Sequence, residues 1–346
     1  MKRFLIWFGL ATALSVQSAN PVPDVGNGRI RVLGNNLQNY YYNYAESDRP
    51  SYYDDAGRAK KTHKIMEMML TADADIYAFC EVEAKPIVLQ QLVDSLNLSV
   101  GTIRYATISD NINVATDQYD NALKSGFIYR TDKVQPYGSS YGATSVTYYK
   151  NVMRIQAWEE LQTGERFTLS MNHFKAKTDA ASVAKRVDNA NWLISGLNTS
   201  YKVKDPDILI LGDLNAMMDE EAISIILNAG YEEQLLRFDA GAYTYCYHGE
   251  GEFIDHALAN ASMAAQITGA AVWHINTTCG GNGGNYSTRY SDHDPYLVAM
   301  NLGEKQSIEQ MHQESEKYQK MLKNGQLFIL INGYLYTPFG QRVSEL

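Results

Sequence analysis

The chain is short of cysteine, of basic charge and of long apolar runs. It has three cysteines in 346 residues, Cys80, Cys246 and Cys279, too few for a disulfide scaffold. Cys80 falls in an apolar segment and reads as a small buried hydrophobe. Cys246 and Cys279 either pair in an oxidising compartment or stay apart, and their spacing does not decide. Lysine and arginine number 30 against 39 acidic residues, a net charge of −9. A negative field opposes non-specific binding to polyphosphate, which lowers the expectation of a nucleic-acid substrate without removing it. Beyond the first residues no apolar run is long enough to cross a bilayer as a helix, so no stable membrane span is expected. There is no internal repeat and no low-complexity linker. The loop Gly280 to Gly284 lacks the strand-to-helix context of a nucleotide-binding loop.

What is present begins with Met-Lys-Arg and a short apolar stretch to Leu14. A basic start and a brief hydrophobic run read as a secretory signal peptide over residues 1–19, with cleavage near Ser18 or Ala19. Its removal takes the net charge to about −11, and a secreted or periplasmic protein follows. At 45% hydrophobic, the rest can bury a large core. Tyrosine is abundant, at 25 against 10 phenylalanines, and it suits strand faces and a polar cleft. The run Tyr40 to Tyr44 reads as loop packing more readily than as base stacking.

The organising stretch is Asp207 to Asp219. Ile208 to Leu211 reads as a short buried strand, Gly212 ends it, and Asp213 and Asn215 follow on one side. A carboxylate and a carboxamide aimed into one cleft suit a hard cation, a water nucleophile and a phosphate oxygen, although an Asx turn would look the same. Polar residues recur where other apolar strands end: Asn36, Glu81, His173, Asp255, and Asp292 with His293. Residues just past strand ends gather at one rim of a sheet. Acids, amides and two histidines together are what metal-assisted phosphoryl hydrolysis needs.

Helices are expected over Lys60–Leu70, Pro86–Leu96, Ser182–Leu197 and Glu220–Asn228, with strands between them. His248, His256 and His274 read as structural, and Arg186 as one half of a surface ion pair. A tail follows the last core strand. Glu304 to Asn324 reads as a helix, and Gln326–Ile331 and Tyr334–Tyr336 flank Asn332-Gly333, a hairpin signal.

Seven fragments in order resemble the endonuclease/exonuclease/phosphatase superfamily, which includes deoxyribonuclease I-like nucleases, sphingomyelinases and inositol polyphosphate phosphatases. They are Gly34-Asn35-Asn36-Leu37, Phe79-Cys80-Glu81-Val82-Glu83, Phe127-Ile128-Tyr129-Arg130, Asn172-His173-Phe174-Lys175, Gly212-Asp213-Leu214-Asn215, Phe253-Ile254-Asp255-His256 and Ser291-Asp292-His293-Asp294-Pro295. The wording of Asp255 to Ala259 and Trp273 to Asn276 is most similar to a secreted bacterial nuclease-like branch. The resemblance implies an α/β four-layer sandwich, two packed mixed sheets flanked by helices, over residues 27–303. A C-terminal helix and β-hairpin appendage, residues 304–346, lies outside the family pattern and is similar to short tails on exported bacterial proteins.

By motif position the resemblance implies Glu81 as main Mg²⁺ ligand with Asn36 and Asp292 nearby, Mn²⁺ or Ca²⁺ being alternatives. Asp213 acts on water, Asn215 holds the phosphate, His293 meets the scissile phosphate with Asp255 behind it, and His173 is the second phosphate-facing histidine. No acidic partner of His173 is evident; Asp120 precedes the right strand. Lys175, Tyr129 and Arg154 are the expected substrate contacts. Cys80 departs from the glutamine often found before the metal glutamate. The implied activity is a phosphodiesterase with nucleic acid as substrate. A phosphatase or lipid-headgroup phosphodiesterase on a small phosphoester, and an inactive binding module, are the alternatives.

Overall fold

A computed structural model describes residues 20–40, 55–83, 87–108, 123–144, 151–198, 205–277, 279, 289–303, 318–323, 326–331, 334–336 and 342–343. The expected signal peptide, Asp120, the loop Gly280 to Gly284 and most of the tyrosine run lie outside these residues.

Two six-stranded sheets form the centre. The first contains β1 (Ile30–Tyr40), β2 (Ile76–Glu83), β3 (Tyr105–Thr107), β4 (Leu123–Arg130), β13 (Ile267–Val272) and β14 (Tyr296–Met300), in the order β13-β14-β1-β2-β4-β3. The second contains β5 (Val134–Thr144), β6 (Asn151–Glu160), β7 (Arg166–His173), β8 (Ile208–Asp213), β9 (Tyr231–Glu233) and β12 (Asp255–Asn260), in the order β5-β6-β7-β8-β12-β9. A small hairpin, β10 (Tyr245–Tyr247) with β11 (Glu250–Glu252), stands apart from both.

The strands alternate because both faces of each sheet are covered. Ile30, Val32, Ala78, Cys80 and Phe127 of the first sheet meet Trp158, Phe167, Leu169, Met171, Leu209 and Leu211 of the second in one buried layer. The intervening residues point outward. Leu33, Tyr77 and Phe79 pack under α1 (Asp55–Ala72) and α2 (Ile87–Val100). Met153, Ile155, Ile208 and Ile210 pack under α3 (Ala180–Gly196) and α4 (Glu221–Asn228). Short helices α5 (Gln234–Phe238) and α6 (Ala261–Ala264) fill one end. The result is the α/β sandwich expected, and each large side chain in it contributes about 1.5–3 kcal/mol by burial. No helix among the described residues is long and apolar enough to cross a membrane.

Two parallel pairs aim the chemistry at one rim. β1 and β2 run parallel, and so do β7 and β8. Their C-terminal ends carry Asn36, Glu81, His173 and Asp213. β12 begins at the same rim, with Asp255 opposite Asp213. β14 begins there too, Tyr296 lying opposite Gly34. A Cβ on Gly34 would sit 2.3 Å from the Tyr296 ring, so this close crossing requires glycine.

The tail departs from expectation. Tyr318–Lys323, expected to end a helix, is a strand, β15, in a four-stranded sheet with β16 (Gln326–Ile331), β17 (Tyr334–Tyr336) and β18 (Arg342–Val343). Lys323 pairs with Gln326 across two residues, Asn324 and Gly325. That dipeptide is a hairpin signal of the same kind as Asn332-Gly333, and cross-strand pairing prevails over the helical spacing of Tyr318 and Leu322. The β16–β17 pairing is the one expected.

Candidate active site

Asp213 ends a strand whose six residues are all buried. The next turn is set by Gly212, at φ +135°, where a Cβ would strike the Asn172 carbonyl oxygen at 2.1 Å. The Asp213 carboxylate is the hub. Oδ1 accepts the Asn215 amide at 2.9 Å. Oδ2 accepts Asn36 Nδ2 at 2.9 Å and lies 3.7 Å from both His173 Nε2 and His293 Nε2. Two imidazoles from different strand ends thus flank one carboxylate oxygen.

Glu81 sits in a bulge of β2, where the pairing with β4 slips between Phe79 and Val82. The bulge places Glu81 at φ +55°, an uncommon conformation for a side-chain-bearing residue that aims its carboxylate into the rim. Oε1 accepts Asn36 Nδ2 at 3.2 Å and lies 3.4 Å from His173 Nε2. Among the described residues, the carboxylates of Glu81 and Asp213 lie within 4 Å of His173 Nε2.

His293 is held from behind. Its Nδ1 lies 2.7 Å from Asp255 Oδ2, its ring packs against Tyr245 at 4.9 Å, and its backbone bridges the same tyrosine. Asp255 is fully buried and its Oδ1 has no hydrogen-bond partner among the described residues. Asp292 Oδ1 is 3.9 Å from His293 Nε2. The loop is fixed by Ser291 Oγ donating to the Asn36 carbonyl, by Tyr290 Oη donating to Asn35, and by Asp294 Oδ1 accepting the amides of Ile275, Asn276 and Thr277.

Glu81, His173 and Asp213 offer ligand atoms within 4.8 Å of one another, and so do Asp213, Asp255 and His293. Carboxylate oxygens predominate in both groups, which fits a hard divalent cation. Asn36 Nδ2 reaches both Glu81 and Asp213, but its Oδ1 accepts the Gln38 amide at 2.8 Å. In this geometry it orients two carboxylates through its Nδ2, and the oxygen expected to face an ion faces the backbone.

The profile of the Endonuclease/Exonuclease/phosphatase family matches residues 36–293. The chain belongs to that family. Solved members of similar fold include a mannosyl-6-phosphatase of Bacteroides thetaiotaomicron, with 16% identity, 79% of this chain and 100% of that one covered, and a TM-score of 0.57. The catalytic domain of human Nocturnin shares 18% identity over 79% of this chain and 94% of that one, with a TM-score of 0.53. TDP2 of D. rerio, complexed with single-strand DNA product, shares 14% identity over 79% and 99%, with a TM-score of 0.51. At these identities the likeness is one of fold. No curated protein sequence matches.

Within this endonuclease/exonuclease/phosphatase framework, the expected substrate contacts are unevenly placed. Tyr129 pairs with Ile76 at the start of β2, whereas the site lies at the end of that strand. Its ring packs on Trp158 at 5.1 Å, so it belongs to the inter-sheet core, away from the rim. Arg154 is buried on β6 opposite Met171, two positions short of His173, and donates to Ser140 on the side of β5. Lys175 follows β7, with its amide on Asn189 and its carbonyl receiving Arg186 Nη1. Arg186 is a correction. It is buried rather than at the surface, pairs with Glu220 and also donates to the Lys177 carbonyl, clamping the segment after His173. His256 is structural as expected, between Glu233 Oε2 and the Ala216 carbonyl. Cys246 and Cys279 are joined in a disulfide.

Lys61 is the residue sequence reading missed. It lies on α1, and burial lowers its pKa to about 8 against the opposing pull of Glu81 and Asp292. Burial likewise raises Asp213 to about 7, with Asp255 and Glu81 adding to the rise and His293 and Asn36 opposing it. Burial disfavours the His293 imidazolium, but Asp255 and Asp213 outweigh it and hold the ring well above its usual value. Both shifts raise proton affinity in the fold, so both favour the folded state on the acid side. The metal-free protein is expected to lose stability, on the order of a few kcal/mol, as pH rises from about 4 to 7, below the range in which Lys61 begins to act the other way. Mn²⁺ should restore most of it at the alkaline end. Thermal melts against pH, with and without the ion, measure this; a metal-free protein that gains stability over that window contradicts the assignment.

Proposed function

We propose that this chain is a secreted, divalent-metal-dependent phosphodiesterase that cleaves nucleic acid by water attack. The observation that carries the choice of ester is the charge balance of the pocket. Four carboxylates, Glu81, Asp213, Asp255 and Asp292, face two imidazoles and Lys61. One divalent ion brings this set close to neutral, without the surplus positive charge that would favour a doubly charged monoester over a singly charged diester. The relatives do not choose, since one is named a mannosyl-6-phosphatase and another holds a DNA product. The N-terminal leader and the Cys246–Cys279 disulfide support export to an oxidising compartment.

A divalent cation held by Glu81, with Asp292 nearby, would polarise the phosphoryl oxygens and acidify bound water. Asp213, poised near neutrality, takes the proton from the attacking water through Oδ2. Asp255 keeps a proton on His293 Nδ1, so that in the imidazolium Nε2–H is free to donate to the phosphate. His173, whose Nε2 is also 3.7 Å from Asp213 Oδ2, donates to a second non-bridging oxygen. Asn215, held at φ +49° with its Nδ2 toward the Phe174 carbonyl, lines the phosphate site.

The test is parallel hydrolysis of supercoiled plasmid, RNA, bis-p-nitrophenyl phosphate, p-nitrophenyl phosphate and sphingomyelin with Mg²⁺, Mn²⁺ and Ca²⁺. Cleavage of DNA or RNA well above the monoester is expected. Preference for the monoester overturns the phosphodiesterase reading. The net charge of about −11 without the leader keeps a small substrate as the second reading, so preference for sphingomyelin would replace nucleic acid with a lipid headgroup.

A further inference from the structure

Glu81 has an anchor outside the family fragments. Gln38 and Asn39 are both left-handed, at φ 48° and 55°. Such conformations are strained for residues with a side chain and persist only where their surroundings hold them. Three of the hydrogen bonds at this turn link it to the site and to α1. The Gln38 amide donates to Asn36 Oδ1 at 2.8 Å, the Asn39 amide donates to Glu81 Oε2 at 2.8 Å, and Lys61 Nζ donates to the Gln38 carbonyl at 2.6 Å. Lys61 reaches the turn from α1, across the outer face of β1, and is 9% exposed. The turn also coincides with a register slip between Asn36 and Tyr40, so the β-ladder itself does not fix Gln38 and Asn39.

We propose that Lys61 is the positioning residue of the metal centre: by pinning the Gln38 carbonyl it keeps the Asn39 amide on Glu81 Oε2, which turns Oε1 toward Asp213. This rests on Glu81 being a metal ligand. A positive charge beside an ion site also repels the ion, so removing Lys61 has two opposed effects. The positional effect is the larger. The ammonium is already engaged with a carbonyl and faces two carboxylates, Glu81 and Asp292. Loss of a ligand's supporting partner, by contrast, weakens metal affinity by about 10- to 100-fold.

The full chain, stripped of ions, is titrated calorimetrically with Mn²⁺ as wild type, K61M, K61R and E81Q. K61M is expected to bind about 10- to 100-fold more weakly, and K61R, which keeps a cationic donor, close to wild type. At saturating Mn²⁺ the turnover of K61M should return toward wild type, because position and not chemistry was lost. In the ion-free wild type the Asn39 amide should be protected from hydrogen exchange, a measurement that needs no variant. An exchanging Asn39 amide, or K61M that binds Mn²⁺ as tightly as wild type or more so, overturns the proposal. E81Q separates the two readings. If E81Q is weak and K61M is not, Lys61 alone is discarded. If E81Q binds like wild type, Glu81 is no ligand and both fall.

Discussion

His293→Ala is expected to lower kcat on a phosphodiester by about 10²–10⁴-fold, the range of a lost general acid or proton-bearing partner. The expectation follows from where Nε2 points. It lies 3.7 Å from Asp213 Oδ2 while Nδ1 is tied to Asp255, so the ring presents a fixed N–H to a substrate bound beside Asp213. The variant has a second signature. His293 pulls the Asp213 pKa down, so its removal raises that pKa and moves the acid limb of the rate profile to higher pH. It also leaves the Asp255 carboxylate buried without its imidazole, costing about 3–5 kcal/mol, so the protein should melt earlier yet remain folded by circular dichroism. A kcat within a few-fold of wild type would remove His293 from the reaction.

Glu81→Gln is expected to cut turnover by about 10³-fold or more, because an ion's charge stabilisation is worth several kcal/mol in the transition state. The substitution preserves shape and one carbonyl oxygen but removes the charge that a hard cation requires. Calorimetry with Mn²⁺ and rates at rising ion concentration distinguish weak binding from lost chemistry. Rates rescued by excess ion indicate that Glu81 only recruits it, and undiminished rates at trace ion contradict its role.

The polar rim was legible because an apolar strand announces its own end. Ile208 to Leu211 followed by Gly212-Asp213, and Phe167 to Met171 followed by Asn172-His173, each change character within one residue, and parallel pairing brings those tips together. β5 was not legible. Its Tyr-Gly-Ser-Ser-Tyr-Gly centre has neither alternation nor a hydrophobic run, and it forms as an edge strand because β6 pairs with it. Lys61 escaped for a different reason. A lysine in a helix is ordinarily solvated, and only the crossing of α1 over the Gln38 turn buries it. Tyr129 misled because its neighbours match a family fragment while the strand runs toward the opposite end of the sheet. The tail strand was masked by residues that satisfy both repeats.

Glu81 and Asn215 occupy backbone angles that glycine would adopt without strain. A search for heat-resistant variants would therefore be drawn toward glycine at both positions, relaxing the main chain and removing the groups the pocket is built around. Selection for folding alone and selection for turnover should pull these two positions in opposite directions.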